Sequence, residues 1–525
     1  MTRRPRPALA PGLIPLGIAL TCAAVSSCTS PEKNLALDQP STVIVSSCCG
    51  DEVLSPVHDM GAKFLVFLPL MTVDQQGALQ GRLARSWTHS PDYREWTYHL
   101  RTDVRWHDGV PVTAHDVAFT IDLMESFGDL DYGGGAFERA TVHDDSTITI
   151  RLGHARTLHQ IWMVFYPKHL LAGLDPERLG EWDFWRHPVG NGPYRFVRLE
   201  PETMMEFAAN PDFYDGKPSI DRVILRFSLG AGITELLSGH VDAAEVPPVS
   251  LPVVTRDPRF QVYFETNPYS GLAIYWKSDH PLFQDAQIRQ ALTQAIDRRL
   301  LHRLLNLPED VPIFDGPFTP DQLRRGELLN AVAYDPEVAR SILESAGWSD
   351  SDGDGIRERD GRPFRFTAFV RTVSGENSPS NLTSATFVQS ELQKIGVRMD
   401  LEPLDPTVVW QRLHDGDFEA VFYWTRFWEA SWLQRFRLGH AEILGYSNRR
   451  LVDLLDQATE TWIPQEQDRI YRELAEILQR DLPFTVLHPW VGFMAAHRRL
   501  RGLRSPPWGG DPVMRHMDQL WLEEN

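Results

Sequence analysis

Residues 83–124, LARSWTHSPDYREWTYHLRTDVRWHDGVPVTAHDVAFTIDLM, hold the pattern from which the fold is read. In WTYHLR, Trp96, Tyr98 and Leu100 share one face while Thr97, His99 and Arg101 take the other, the period-two signature of a half-buried strand. His107-Asp108-Gly109 supplies a turn, glycine being free to adopt conformations that L side chains resist. Thr113 followed three residues later by Asp116 is a capping box, and it predicts a helix through AHDVAFTIDLMESF. Strand, turn and capped helix within about forty residues point to a mixed chain, α/β or α+β.

The same mixture continues on both sides. Upstream, Ser41 to Ser46 (STVIVS) is a β-branched strand. Downstream, Asp285 caps a helix whose apolar stripe is Ile288, Ala291, Leu292, Ala295 and Ile296. Ala339, Ile342, Leu343 and Ala346 form another stripe, stopped by Gly347. SATFVQSELQKIG (384–396) reads as a helix, and VRMDLEPL (397–404) and FEAVFYW (418–424) as strands. No internal repeat of 20–50 residues occurs, which sets solenoids and propellers aside. A length of 525 residues requires two or more lobes, and 42% apolar with 23% charged residues is a globular composition. The net charge of −19 argues against a nucleic-acid partner, since phosphates need a basic surface.

The amino terminus is different in kind. Arg3, Arg4 and Arg6 precede LIPLGIALTCAAV (13–25), an apolar run of signal-peptide length and too short to span a bilayer. Val25-Ser26-Ser27-Cys28 follows, small residues leading to a cysteine, and resembles a bacterial lipobox in which Cys28 is lipidated; Cys22 competes, and an ordinary signal peptide cut elsewhere is the alternative. Each of these exports the chain. Beyond them only Cys48 and Cys49 remain, adjacent, with a vicinal disulfide, free thiols and a soft-metal site all open to them.

Reaction centres were sought by spacing. The chain has no Gly-x-Ser-x-Gly, His-Glu-x-x-His or Gly-x-x-x-x-Gly-Lys-Ser/Thr motif, and Gly133-Gly134-Gly135 lacks the strand and third glycine of a dinucleotide loop. No cofactor and no enzymatic activity are expected. Asp350, Asp352 and Asp354 open like a calcium loop, with Glu358 as a substitute for the missing acid at the twelfth place, which is Gly361. The reading preferred here is a polar turn closed by Asp side chains, with no metal.

Six colinear segments then line up with one family. The opening stretch, PVGNGPYRFV (188–197), NPDFYDGKPSID (210–221), QIRQALTQAIDRRLL (287–301), YDPEVARSILESAGW with DSDGDGIRERDGRPF (334–364), and YSNRRLVDLLDQA (446–458) resemble the family 5 extracellular solute-binding proteins of ABC importers, which include dipeptide-, oligopeptide- and nickel-binding proteins. The resemblance implies an α/β, two-lobe periplasmic-binding-protein-like fold of type II with an extra subdomain inserted in the first lobe. Residues 1–27 would be the signal peptide and 28–40 a tether. Residues 41–62, 190–270 and 490–525 would form the core of the first lobe, 63–189 its inserted subdomain and 271–489 the second lobe. It implies a monomeric receptor, anchored through Cys28 at the periplasmic or outer face of the membrane, that passes a peptide or other small solute to permease subunits. Most of the shared motifs read as architecture: Gly190, Gly192 and Pro193 as a turn with special backbone geometry.

Ligand contacts are expected where the chain departs from the family. Peptide-binding relatives carry an aspartate for the ligand's amino terminus shortly after a strand ending in Gly-Trp. Here the strand ends at Trp424, TRFWEASWLQRF follows without that aspartate, and Glu429 is the acid nearby, among Trp424, Phe427, Trp428 and Trp432. Where relatives have an Asn after an apolar strand, this chain has Tyr275-Trp276. These residues, with Cys48 and Cys49, are the candidate ligand contacts. The even-numbered strand residues Phe418, Ala420, Phe422 and Trp424 are expected to face the core, Trp424 being kept among the candidate contacts as well. Three functions stay open: a peptide receptor; a receptor for a metal chelate, an oligosaccharide or an opine-like compound; and a secreted enzyme or scaffold that kept the fold.

Overall fold

The computed structural model of the protein describes residues 40–47, 62–73, 79–127, 137–153, 163–228, 231–318, 322, 331–372, 378–426, 444–461, 463–504, 513–514 and 516–523. Among these residues ten strands form one sheet. Its order is Arg398–Leu404, Arg365–Arg371, Ala420–Arg426, Phe260–Trp276, Phe484–His497, Ala243–Glu245, Thr42–Ser47, Arg222–Phe227, Met204–Ala209 and Tyr194–Glu200. The two central strands are the long ones, 17 and 14 residues, and they pair antiparallel from Phe260↔His497 to Tyr275↔Phe484. Their register breaks between Asn267 and Gly271. A Cβ on Gly271 would lie 2.7 Å from the His488 carbonyl oxygen, so only glycine allows that approach.

On either side of this break the sheet belongs to different cores. At the 260 and 497 ends, lobe I, the strands join Val43, Val45, Val223 and Leu225 to one apolar cluster, and Val241, Ala244, Phe260 and Ala495 to another. At the 276 and 484 ends, lobe II, alternation sorts the side chains between two faces. Leu272, Ile274 and Trp276 pack with Ala420 and Phe422 under the helices Ala286–Gln294, Pro336–Ser345 and Ser378–Gln393. Ala273 and Tyr275 pack on the opposite face under Arg449–Glu460 and Pro464–Asp481. Both faces of this half are therefore covered, as parallel strands require.

The opening stretch folds into a separate four-stranded sheet, ordered Ala84–His89, Glu95–Leu100, Thr147–Leu152 and Phe137–Asp144. Trp96, Tyr98 and Leu100 are buried, as their alternation requires. The helix Ala114–Phe127 begins as expected, with a twist in its cap: Asp116 Oδ2 accepts both the Thr113 N–H (2.8 Å) and the Thr113 hydroxyl (3.1 Å). The other helix starts follow the sequence directly. Asp285 accepts Gln287 N–H, Asp335 accepts Val338 N–H and Asn448 accepts Leu451 N–H.

Gly190 and Gly192 need a correction. They do not occupy a left-handed conformation; they are glycine because a Cβ on Gly190 would sit 1.9 Å from the Val66 carbonyl oxygen, and one on Gly192 2.6 Å from that of Leu65. The amides of Asn191 and Gly192 donate to Val66 O at 2.9 and 2.7 Å. His107 fastens the turn of the opening stretch to the same segment: its Nδ1 accepts Gly190 N–H (3.2 Å) and its Nε2 donates to Gly192 O (3.1 Å).

Candidate functional site

Strand direction locates the site. Ala243–Glu245 pairs with the long strand as Ala243↔Ala496 and Glu245↔Met494, so its carboxyl end points along the sheet toward lobe II. Thr42–Ser47 and Arg222–Phe227 run parallel to it. In lobe II, Ala420–Arg426 pairs as Trp276↔Ala420 and Ser270↔Arg426, so its carboxyl end points toward lobe I, and Arg365–Arg371 and Arg398–Leu404 run parallel to that strand. The carboxyl edges of both parallel sets thus face the register break. Open α/β sheets bind ligands outside the carboxyl ends of their strands. Here two such edges converge on one crossing.

The lobe II edge is ringed by polar and aromatic groups. Trp424 is partly exposed and meets His488 edge-to-face at 5.9 Å. His488 Nδ1 donates to Pro489 O (2.8 Å), which leaves Nε2 to accept from the Ser384 hydroxyl (3.3 Å). Burial of the ring pushes its pKa down to about 4. Asn381, 2% exposed, donates to Arg371 O (3.3 Å), and its Oδ1 has no hydrogen-bond partner among the described residues. The Arg371 guanidinium lies over the Tyr423 ring at 5.8 Å. Behind this edge His302 is also buried, with its pKa pushed down to about 3 by burial; its Nε2 donates to Leu487 O (3.2 Å). The matching edge in lobe I is made of Ser46, Ser47, Ser228 and Glu245, with Ser228 hydroxyl donating to Glu235.

The expected contacts fall into three groups. Trp424 stands on the lobe II edge. Tyr275 and Trp276 are core residues on opposite faces of the sheet: Trp276 is fully buried, donates to Thr485 Oγ1 (3.2 Å) and packs on Phe283 and Phe366, while Tyr275 packs on Phe484. Phe427, Trp428, Glu429 and Trp432, like Cys28, Cys48 and Cys49, lie outside the described residues. Phe418, Ala420 and Phe422 are buried. Sequence reasoning passed over His488, Ser384, Asn381 and Arg371. The available signal was His488-Pro489-Trp490 interrupting the apolar run FTVLHPWVGFMAA, a polar group where a core strand has no use for one.

The carboxylates of Asp350, Asp352, Asp354 and Glu358 come within 4.8 Å of one another on the surface. Each is engaged by the loop itself. Asp350 accepts the Gly353 and Gly355 amides, Asp352 that of Asp354, Asp354 that of Ile356, and Glu358 that of Ser351. Gly353 and Gly355 have φ of 81° and 87°. This is a turn closed by its own acids.

No helix among the described residues is long and apolar enough to cross a membrane. Residues 78–433 match the family described as bacterial extracellular solute-binding proteins, family 5 Middle. The oligopeptide-binding protein AppA of Bacillus subtilis is 25% identical over 78% of this chain and 78% of its own length. The nickel-binding periplasmic protein of Escherichia coli is 23% identical over 79% of this chain and 82% of its own. The crystal structure of NikZ from Campylobacter jejuni, in complex with Ni(L-His), superposes with a TM-score of 0.75 at 23% identity, covering 91% of this chain and 99% of that one. Two lobes, facing carboxyl edges and a match over more than half the chain lead to one assignment: this chain belongs to the family 5 bacterial extracellular solute-binding proteins.

Proposed function

We propose that the chain is an extracytoplasmic receptor that closes its two lobes on a small solute, a peptide, and presents it to the permease of an ABC importer. The observation that carries this reading is the pair of carboxyl edges facing one register break, spanned by two continuous strands. Two strands crossing together form a hinge, and a ligand touching both edges favours the closed state by its differential affinity for it. Trp424 with Arg371, Tyr423 and His488 forms the lobe II wall in this reading, which takes Phe427, Trp428, Glu429 and Trp432 as further ligand contacts and Glu429 as the partner of the ligand's ammonium. Residues 63–189 are an insert in the first lobe, and lipid on Cys28 keeps the receptor beside the membrane.

A second reading is favoured by one sequence observation, the absence of an aspartate between Thr425 and Phe436. It keeps the receptor and replaces the peptide with a metal chelate, an oligosaccharide or an opine-like solute. Cys48 and Cys49 are the soft ligands a metal version would use. A thermal-unfolding screen separates the two. A ligand at 100 times its Kd adds about 2.7 kcal/mol to stability. Peptides of two to nine residues are expected to raise the midpoint and Glu429→Gln to abolish that gain; a rise with nickel–histidine or a sugar and with no peptide overturns the peptide assignment. Metabolic labelling with a fatty acid tests the anchor: Cys28→Ser is expected to lose the label, and a label that persists points to Cys22.

A further inference from the structure

The lobes touch away from the two long strands, and one of these contacts is ionic. Arg94 belongs to the hairpin between Ala84–His89 and Glu95–Leu100, on the lobe I side; Glu460 is the last residue of the lobe II helix Arg449–Glu460. The Arg94 Nη2 lies 2.5 Å from Glu460 Oε2, although 366 residues separate them.

Both partners are placed in ways that local structure alone does not favour. Glu460 ends its helix, where unpaired carbonyls concentrate partial negative charge, and no basic residue stands in that last turn. An acid there is unfavourable unless a cation comes from outside the helix. Arg94 is that cation, and it is presented by a stiff tip. Its N–H donates to Asp92 Oδ1 (3.2 Å), its carbonyl accepts Leu152 N–H (2.8 Å), and Ser90 N–H donates to Glu95 O (2.9 Å). Tyr93 turns the tip with φ of 57°, rare for a ring-bearing residue, and its ring stacks on His89 at 4.1 Å. A second link is uncharged: Asn306 Nδ2 donates to Pro248 O (3.1 Å), and Leu307 packs against the cores of both lobes.

We infer that Arg94 and Glu460 form an electrostatic latch between the lobes, which holds part of the ligand-free population closed and makes closure dependent on salt. The inference rests on the proposed hinge and concerns its resting balance, not the solute. Glu460 is exposed and Arg94 partly so, 62% and 28% at the side chains, so the hold of the pair is weak and adjustable. Pairs of this kind shift an equilibrium by about 1.5- to 5-fold. A receptor so tuned keeps both open and closed forms populated before any solute arrives.

The test uses the full-length chain without ligand, spin-labelled through p-acetylphenylalanine at the exposed positions Asp145 and Asp453 of lobes I and II. Pulsed dipolar spectroscopy then reads the distance between the lobes. Glu460→Arg is expected to raise the open-to-closed ratio about 1.5- to 5-fold, 1 M salt to do the same to the parent chain, and the swap R94E/E460R to restore the parent ratio at low salt. Glu460→Gln guards against an unrelated effect of the added charge and is expected to act in the same direction. An interlobe distribution unmoved by Glu460→Arg, or a swap that fails to restore it, overturns the latch. The outcomes are separable from the solute question. A failed swap beside a positive solute screen removes the latch and leaves the receptor. A restoring swap beside a screen in which nothing binds keeps the latch and removes the receptor.

Discussion

His107 in lobe I is partly buried and His488 in lobe II fully so, and burial pushes both rings down to a pKa of about 4, yet they are wired to different things. His107 spends both ring nitrogens on backbone, joining the turn at Trp106–Gly109 to Gly190 and Gly192. His488 spends one on the neighbouring carbonyl and the other on a side-chain hydroxyl, with an aromatic ring against its edge, at the rim that faces lobe I. A backbone-bound histidine is tied to the chain trace itself. A histidine bound to Ser384 and Trp424 sits in one that substitution elsewhere can change without disturbing the chain trace. The first kind of site is architecture; the second is where specificity has room to vary.

The sharpest way to break the comparison is from the lobe I side. Gly190→Ala puts a methyl group 1.9 Å from a backbone oxygen that cannot rotate away. Separating the segments also costs His107 its partners, so a loss of about 3 kcal/mol or more is expected in denaturant unfolding. A loss under about 1 kcal/mol would mean the junction is loose and His107 is not held by it.

Why the two regions differed in legibility follows from the same contrast. The lobe I junction is announced by glycines and an HDG turn, and alternation alone placed Trp96, Tyr98 and Leu100 correctly, because steric and hydrophobic constraints act over a few residues. The reason for Gly190 and Gly192 is not legible in the same way. Close approach to Val66, more than 120 residues earlier, leaves no local mark that tells it from a positive φ. In lobe II an aromatic residue does not by itself mark the edge: Trp276, at the far end of its strand from that edge, is core. Tyr275 and Trp276 are adjacent, so a strand sends them to opposite faces, and only the pairing register says what covers each. Ser384 and His488 are 104 residues apart and meet only because a helix and a crossing strand share one edge.

Acid probes both histidines next, and in the same way. In each case the unfolded ring has a pKa near 6.5 and the folded ring one near 4. Between these values the unfolded chain binds more protons, so stability is complete above about pH 6.5 and falls as pH drops toward 4. One ring accounts for about 2 kcal/mol between pH 6.5 and 5. His488→Asn and His107→Asn should each remove one proton from that slope relative to the parent chain. Carboxylate titrations are common to all three proteins and cancel in the difference. A slope in His488→Asn equal to that of the parent would show that His488 is already protonated, or exposed, in the folded lobe.

The smallest effect tests the side-chain wiring itself. Ser384→Ala leaves His488 Nε2 buried without its donor, and a loss of about 1 kcal/mol at neutral pH is expected. Because that cost belongs to the pair, Ser384→Ala made in a His488→Asn background should cost less than in the parent, giving a coupling of roughly 0.5–1 kcal/mol. His107 allows no such cycle, since its partners are peptide groups that no substitution removes. If the two losses at Ser384 and His488 simply add, the hydroxyl is not what holds the imidazole. The lobe II edge would then be set by the Pro489 carbonyl and Trp424, and the contrast with His107 would shrink to the ring alone.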